Sequence, residues 1–395
     1  MPTFVIAGGG LAGAKSAQKL RSEGFDGRIV ILGGEKHPPY ERPPLSKGYL
    51  LGNDELDSVY TEPESWYAEN DVDLRTGVTV ASFDPGARTV TAGGETVGYD
   101  KLLIATGAVP RRLDEVPGAY YLRTIEDSTR LKEAFAHGGN VVVVGAGWIG
   151  LEAAAAARTA GCEVTVIERG PRSLHAVIGS EVGAVFTDLH KSHGVRFKFG
   201  ETVQAAGDGY VTTSDGERLE ANVVLAAIGV APDDALAREA GLEVGDGILA
   251  DAALRTSAED VFAAGDVVSS YRPLYQRRVR VEHWHNAIAS GEAAAQSMLG
   301  QQVSYDPVPY FYSDQYNLGM ECAGLPSPGS YDQVVYRGSV DDLEFIAFWL
   351  RSGAVIAGMN VNVWDVTDEI QALIRSGRVP ELDRLTNPSV PLAEV

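Results

Sequence analysis

A chain of 395 residues is long enough for two or three domains, each with its own core. With 45% hydrophobic and 22% charged residues it has a globular rather than a disordered composition. Its 33 basic and 54 acidic residues leave a net charge of −21, which disfavours nucleic acid or an anionic membrane as partner, although a local patch can still dock an acidic protein. Two cysteines, Cys162 and Cys322, exclude a disulfide framework and a four-cysteine metal site, and no metal is expected.

The first strand-like run, Phe4 to Ala7, begins almost at Met1, with no basic leader before it. The longest apolar tract, Val141 to Ala157, is broken by Gly145, Gly147, Gly150 and Glu152, and a bilayer span needs about 20 apolar residues. The expectation is a soluble, cytoplasmic protein.

The chain contains its own repeat. Residues 4–13 read FVIAGGGLAG and residues 141–150 read VVVVGAGWIG. Each is a β-branched run, then G-x-G-x-x-G, then an alanine-rich helical stretch, then a second strand (Arg28 to Leu32; Glu163 to Ile167). The glycines have separate tasks. Gly8 and Gly145 permit the turn, Gly10 and Gly147 let the backbone approach a pyrophosphate, and Gly13 and Gly150 let the helix pack close to the strand. The pyrophosphate then meets a helix N-terminus, whose free N–H groups and dipole favour negative charge. An acidic residue about 20 positions on can bind ribose hydroxyls, and Glu35 and Glu168 stand there.

Two further runs match each other, Leu102 to Gly107 and Val223 to Gly229. Both are short apolar strands ending in glycine, with Pro110 and Pro232 just beyond. Each closes one nucleotide domain and lets the chain cross to the other. Residues 261–268, VFAAGDVV, read as one buried strand delivering Asp266, a carboxylate that needs donors such as ribityl hydroxyls, or else an N-cap. Glu282 to Leu299 reads as a helix beginning near Trp284.

These features resemble the glutathione-reductase-like flavoproteins. Within them, YERPPLSKGYL (Tyr40 to Leu50) and VRVEHWHNA (Val279 to Ala287) resemble the NADH-dependent ferredoxin reductases of oxygenase and cytochrome P450 systems, relatives of the apoptosis-inducing-factor-like proteins and the monodehydroascorbate reductases. The resemblance covers essentially the whole chain. It implies an α/β fold with two Rossmann-like dinucleotide-binding domains and an α+β C-terminal domain. Residues 1–110 and 233–305 would bind FAD noncovalently, 111–232 would bind NADH in preference to NADPH, and 306–395 would form the C-terminal domain. It also implies cofactor contacts from Gly8, Gly10, Ala12, Gly13, Glu35, Arg42, Lys47, Val80, Ala105, Thr106, Gly107, Arg123, Gly145, Gly147, Ile149, Gly150, Glu152, Glu168, Gly229, Asp266 and Trp284. Lys47 would lie beside flavin N5 and O4, paired with Glu152; these two are the candidate catalytic residues. The helix beginning at Trp284 would aim its positive end at flavin N1 and the C2 carbonyl.

Disulfide reductases of this fold carry a redox cysteine pair after the second strand, and peroxide- or oxygen-reducing relatives a single cysteine. Here the stretch reads Pro43, Pro44, Leu45, Ser46, Lys47, with no thiol. The acceptor is therefore expected to take electrons directly from the flavin, and the resemblance implies hydride transfer from NADH to flavin N5, then two one-electron transfers to an iron–sulfur ferredoxin serving a P450 or an oxygenase. A small acceptor (a quinone or monodehydroascorbate) and a redox-sensing protein of the apoptosis-inducing-factor kind are the alternatives. Arg277, Arg278 and Arg280 form a cationic run suited to an acidic ferredoxin, or simply a solvated loop. Tyr310, Phe311, Tyr312 and Tyr316 either shield the flavin or fill a sheet core.

Overall fold

The computed structural model describes all 395 residues. The first alternation is β1 (Thr3–Ala7), α1 (Leu11–Ser22) and β2 (Arg28–Leu32), followed by β3 (Val72–Arg75) and β4 (Lys101–Ile104). The second is β5 (Asn140–Val144), α2 (Trp148–Thr159), β6 (Glu163–Glu168), α3 (His175–Ser192), β7 (Arg196–Phe199) and β8 (Val223–Ala226). Then come β9 (Val261–Ala263), β10 (Val268–Arg272), β11 (Arg277–Arg280) and α4 (Trp284–Met298). The C-terminal part holds β12 (Tyr310–Gln315), β13 (Leu318–Gly324), β14 (Gln333–Ser339), β15 (Glu344–Arg351), β16 (Ala354–Val361) and α5 (Thr367–Ser376).

The chain forms two compact units. One comprises residues 1–42, 56–109 and 230–307, the other residues 43–55, 110–229 and 308–395. The first unit is built on a parallel sheet of order β9-β4-β1-β2-β3. Its inner strands are buried on both faces, which is why they read as continuous apolar runs rather than alternating ones. Helix α1 crosses α4 at close quarters: a Cβ at Gly291 would collide with the Ala12 carbonyl.

The second unit contains a parallel sheet of order β7-β6-β5-β8 and a five-stranded antiparallel sheet of order β12-β13-β16-β15-β14. They share one core, in which Trp349 is fully buried and its indole N–H donates to the Ile178 carbonyl of α3 at 3.1 Å. Segment 43–55 belongs to this unit through Leu50 in the core and the Ser128 hydroxyl donating to the Leu45 carbonyl at 2.7 Å.

One local expectation is corrected. Residues 261–268 are not one strand: β9 stops at Ala263, Gly265 to Val267 make a 3-10 turn, and β10 begins at Val268. Gly265 has φ +78°, which ends extended structure; its N–H bonds Ser290 Oγ at 2.8 Å and its carbonyl accepts from Asn286 Nδ2 at 3.3 Å. The helix expected to begin near Trp284 does begin there, with His283 extended as its N-cap, and runs to Met298.

Candidate functional site

The two glycine loops have the same construction. Gly8 has φ +130° and Gly145 φ +107°, conformations that side chains rarely adopt. A Cβ at Gly8 would collide with the Ala105 carbonyl just after β4, and one at Gly145 with the Ala227 carbonyl just after β8. A Cβ at Gly13 or Gly150 would strike the carbonyl of Gly8 or Gly145. Gly10 and Gly147 differ: nothing lies within 4 Å of a Cβ built there. They are the N-caps of α1 and α2, and no side chain caps the first N–H groups of either helix. This construction fits a dinucleotide diphosphate at each loop.

In the first unit, Glu35 lies beyond β2 and accepts from the Tyr40 hydroxyl and from Arg42 Nη2, the latter at 2.8 Å. Burial opposes the Arg42 charge, but Tyr40, Glu35 and Asp266 outweigh it and raise the guanidinium above the usual arginine value. Asp266 sits in the 3-10 turn after Gly265, and a Cβ at Gly265 would lie 3.1 Å from the Ala12 methyl. Ala12 thus lets α1, α4 and the Asp266 turn converge. Trp284 opens α4 and is partly buried, and burial pushes the flanking His283 and His285 below the usual imidazole value. Thr106 Oγ1 donates to the Asp233 carbonyl at 2.6 Å, and the Gly107 carbonyl accepts from the Asp233 N–H at 3.0 Å. Val80 begins a separate strand, Val80–Asp84, against the first unit's core.

In the second unit, Glu168 ends β6 and reaches back to the glycine loop. Its Oε2 accepts from the Ala146 N–H at 2.8 Å and its Oε1 from the Gly170 N–H at 2.6 Å. Each oxygen retains a lone pair for a ribose hydroxyl. Ile149 is exposed at the start of α2, and Gly229 lies in the turn after β8, its carbonyl accepting from the Arg111 N–H at 3.0 Å. Arg123 precedes the Thr124 capping box that starts the helix Ile125–Ala136; its N–H donates to Asp127 at 3.1 Å.

The candidate catalytic pair lies in this unit. A 3-10 turn, Pro43–Ser46, and a one-turn helix, Gly48–Leu51, bracket Lys47. Its ammonium contacts Glu152 Oε1 and lies 5.6 Å from the centre of the Tyr312 ring. Glu152 is 3% exposed, at the start of the second turn of α2. It accepts three hydrogen bonds: from Lys47, from Ser46 Oγ on Oε2, and from Ser313 Oγ at 2.6 Å. A buried carboxylate so surrounded is compensated by an opposite charge and by donors. Sequence assigns neither serine a role: Ser46 lies in the YERPPLSKGYL segment beside Lys47, and Ser313 lies inside the aromatic run. That run divides: Phe311 packs in the core beside Trp148, Tyr312 lies against Lys47, and Tyr316 stacks on His193 at 3.7 Å.

Both cysteines are free and buried, and burial pushes both thiols upward. They are not poised for exchange. In the first unit, Arg280 does not belong to an open cationic run: it is paired with Asp246 at 2.9 Å and with Glu282. Arg277 and Arg278 on the same strand are exposed, with Tyr271 exposed opposite Arg278. No cluster of His, Cys, Asp and Glu is arranged to hold a metal, and no helix is long and apolar enough to cross a membrane.

Two glycine-loop dinucleotide sites and a Lys–Glu pair with no thiol beside it define a two-nucleotide flavoprotein oxidoreductase. The chain belongs to the pyridine nucleotide-disulphide oxidoreductase family, which matches residues 2–291, and the reductase C-terminal family matches residues 310–395. It is an oxidoreductase using FAD and NAD(H). It is 37% identical over 399 residues to the ferredoxin–NAD(+) reductase component of the anthranilate 1,2-dioxygenase system of Burkholderia cepacia, covering 98% of each chain. It is 34% identical to putidaredoxin reductase of Pseudomonas putida, covering 99% of this chain and 96% of that one. Among solved structures, the covalent putidaredoxin reductase–putidaredoxin complex matches with a TM-score of 0.95 at 34% identity, covering 100% of this chain and 97% of that one. The ferredoxin reductase for the CYP199A2 system of Rhodopseudomonas palustris matches with a TM-score of 0.95 at 33% identity, covering 100% of both.

Proposed function

We propose that this protein is an NADH:ferredoxin reductase whose ferredoxin serves an oxygenase or a cytochrome P450. The carrying observation is the Lys47–Glu152 pair, whose Lys47 stands in the segment where the resemblance puts the redox cysteines of a thiol reductase, while both cysteines of this chain are buried elsewhere. The chemistry the flavin supplies when bound is acceptance of a hydride and release of its electrons one at a time. Relatives named as ferredoxin reductases support that acceptor.

The residues divide the work. Gly8, Gly10 and Gly13 with the N-terminus of α1 hold the FAD diphosphate, Glu35 its ribose and Asp266 its ribityl hydroxyls. Ala12 sets the approach of the helices, and Arg42, Val80, Ala105, Thr106 and Gly107 line the same site. Gly145, Gly147, Ile149 and Gly150 with α2, together with Arg123 and Gly229, bind NADH, and Glu168 accepts from its ribose. Lys47, held by Glu152, sets a positive charge at the flavin edge where negative charge develops on reduction. The N-terminus of α4 does the same at the other edge with the positive end of its dipole, and Trp284 lies against the isoalloxazine. The parsing that goes with this reading is an FAD domain of residues 1–110 and 233–305, an NAD domain of residues 111–232 and a C-terminal domain of residues 306–395. The site of action is the cytoplasm, where NADH is made.

The deciding assay is NADH-driven cytochrome c reduction with and without a ferredoxin, beside direct assays with a quinone and with monodehydroascorbate. Strong dependence on the ferredoxin is expected. Equal rates without it, together with fast turnover of a small acceptor, would refute the ferredoxin reading.

A further inference from the structure

The hydrogen bonds around Glu152 do not end at Ser313. Ser313 Oγ also accepts from Gln315 Nε2 at 3.0 Å, and Gln315 Oε1 lies 2.8 Å from His190 Nε2 on α3. Ser313, Gln315 and His190 are at most 1% exposed. Burial pushes His190 down to about 4, so the ring is neutral at ordinary pH and carries one proton. Its Nδ1 is buried without a hydrogen-bond partner, and its ring is otherwise bounded by Phe197 and Tyr316.

A serine hydroxyl can donate or accept, and an amide can turn end for end, so the proton on His190 decides the direction of the whole chain. With the proton on Nε2, His190 donates to the amide oxygen, the amide NH2 donates to Ser313, and the Ser313 proton goes to Glu152. With the proton on Nδ1, Nε2 must accept, the amide turns over, its oxygen takes the Ser313 proton, and Glu152 loses a donor and faces a lone pair. That second arrangement also buries an N–H with no acceptor, and such orphaned donors are rare in folded proteins.

We propose that His190 and Gln315 are positioning residues: they fix the Ser313 hydroxyl as a donor to Glu152, and through it fix Lys47 at the flavin edge. The link to Lys47 rests on the function proposed above. Residues 47, 152, 190, 313 and 315 come from four parts of the chain, and each member satisfies the next.

The test combines a spectroscopic signature with a mutant cycle on the holoenzyme. Histidine is labelled with 15N, and His190 is assigned among the seven histidines with His190→Gln. The expected spectrum has a protonated Nε2 and a bare Nδ1, unchanged from about pH 5.5 to pH 8, as its depressed pKa requires. An Nδ1–H ring, or a charged ring at pH 7, overturns the proposal. Flavin reduction by NADH is then followed by stopped flow in Ser313→Ala, Gln315→Met and the double variant. Loss of the donor should slow reduction about 10-fold, with NADH affinity changed by less than about 2-fold. If Gln315 acts through Ser313, Gln315→Met slows the serine protein and does nothing further in the alanine background. Equal, multiplying effects in both backgrounds refute it. Should the variants fold poorly, the wild-type imidazole spectrum decides. Should the wild-type flavin not be reduced by NADH at all, the proposed function fails, and the same spectrum still decides the direction of the chain.

Discussion

Removing the charge of Glu168 should weaken the choice of NADH over NADPH. The carboxylate is held from both sides, by the Ala146 N–H at 2.8 Å and the Gly170 N–H at 2.6 Å, so it cannot swing away from a bulky ligand. A 2′-phosphate at the ribose would place like charges about 4 Å apart, worth up to about 4 kcal/mol per unit charge at an effective dielectric of about 20. Solvent screening reduces this, and the exposed Arg169 and Arg172 nearby offset part of the rest. The expected preference is roughly 10- to 1,000-fold in kcat/KM, equivalent to about 1.4–4 kcal/mol. Glu168→Gln keeps the shape and removes the charge. Its amide NH2 must, however, face one of the two backbone N–H donors, so efficiency with NADH should fall about 10-fold while efficiency with NADPH rises. Steady-state kinetics with both nucleotides and ferricyanide as acceptor read both effects. Equal efficiencies in the native protein, or an unchanged ratio in a variant that retains its flavin, would refute the role given to Glu168.

Asp266→Ala should purify with little FAD, read from the ratio of visible to ultraviolet absorbance; full occupancy with unchanged affinity would contradict the ribityl assignment. Reversing Arg277 and Arg278 to Glu should slow ferredoxin-dependent cytochrome c reduction, most at low salt, and barely alter ferricyanide reduction, because steering is electrostatic and ferricyanide needs no protein docking. A parallel fall in both activities would point to damage at the flavin instead. Stability should drop as pH falls from about 6.5 to about 4, because unfolding lets His190 take up a proton that the native ring refuses below its usual value. That contribution is complete above the unfolded value, is lost through this window and amounts to about 3 kcal/mol. His190→Gln should flatten the corresponding part of a denaturant-midpoint profile, and an unchanged profile would count against a buried neutral ring.

Much of this molecule is legible locally. The glycine loops could be placed from sequence because their demands are local: a left-handed φ at Gly8 and Gly145, and a missing Cβ at Gly13 and Gly150 where the helix meets its own loop. The paired closing strands were legible as well, since a buried parallel strand must be a short apolar run. The break at Gly265 was not, because an apolar run does not say that Ser290 and Asn286, on a later helix, will take its backbone groups. Nor did a run of arginines show that Asp246, brought alongside by the fold, neutralises Arg280.

The surroundings of Glu152 mark the division most sharply. Sequence placed Glu152 on the helix after the second glycine loop and Lys47 in a segment without thiols, and the family resemblance implied that the two pair. Ser46, Ser313, Gln315 and His190 follow no periodicity and no spacing, since a hydroxyl or an amide obeys no local rule about which partner it will meet. Only the packing of β12, α2, α3 and the 43–55 segment around one core decides that Ser46 and Ser313 meet a single carboxylate and that Gln315 and His190 line up behind Ser313. Inside that core water cannot substitute for a missing partner, and each polar group must find its match in the protein.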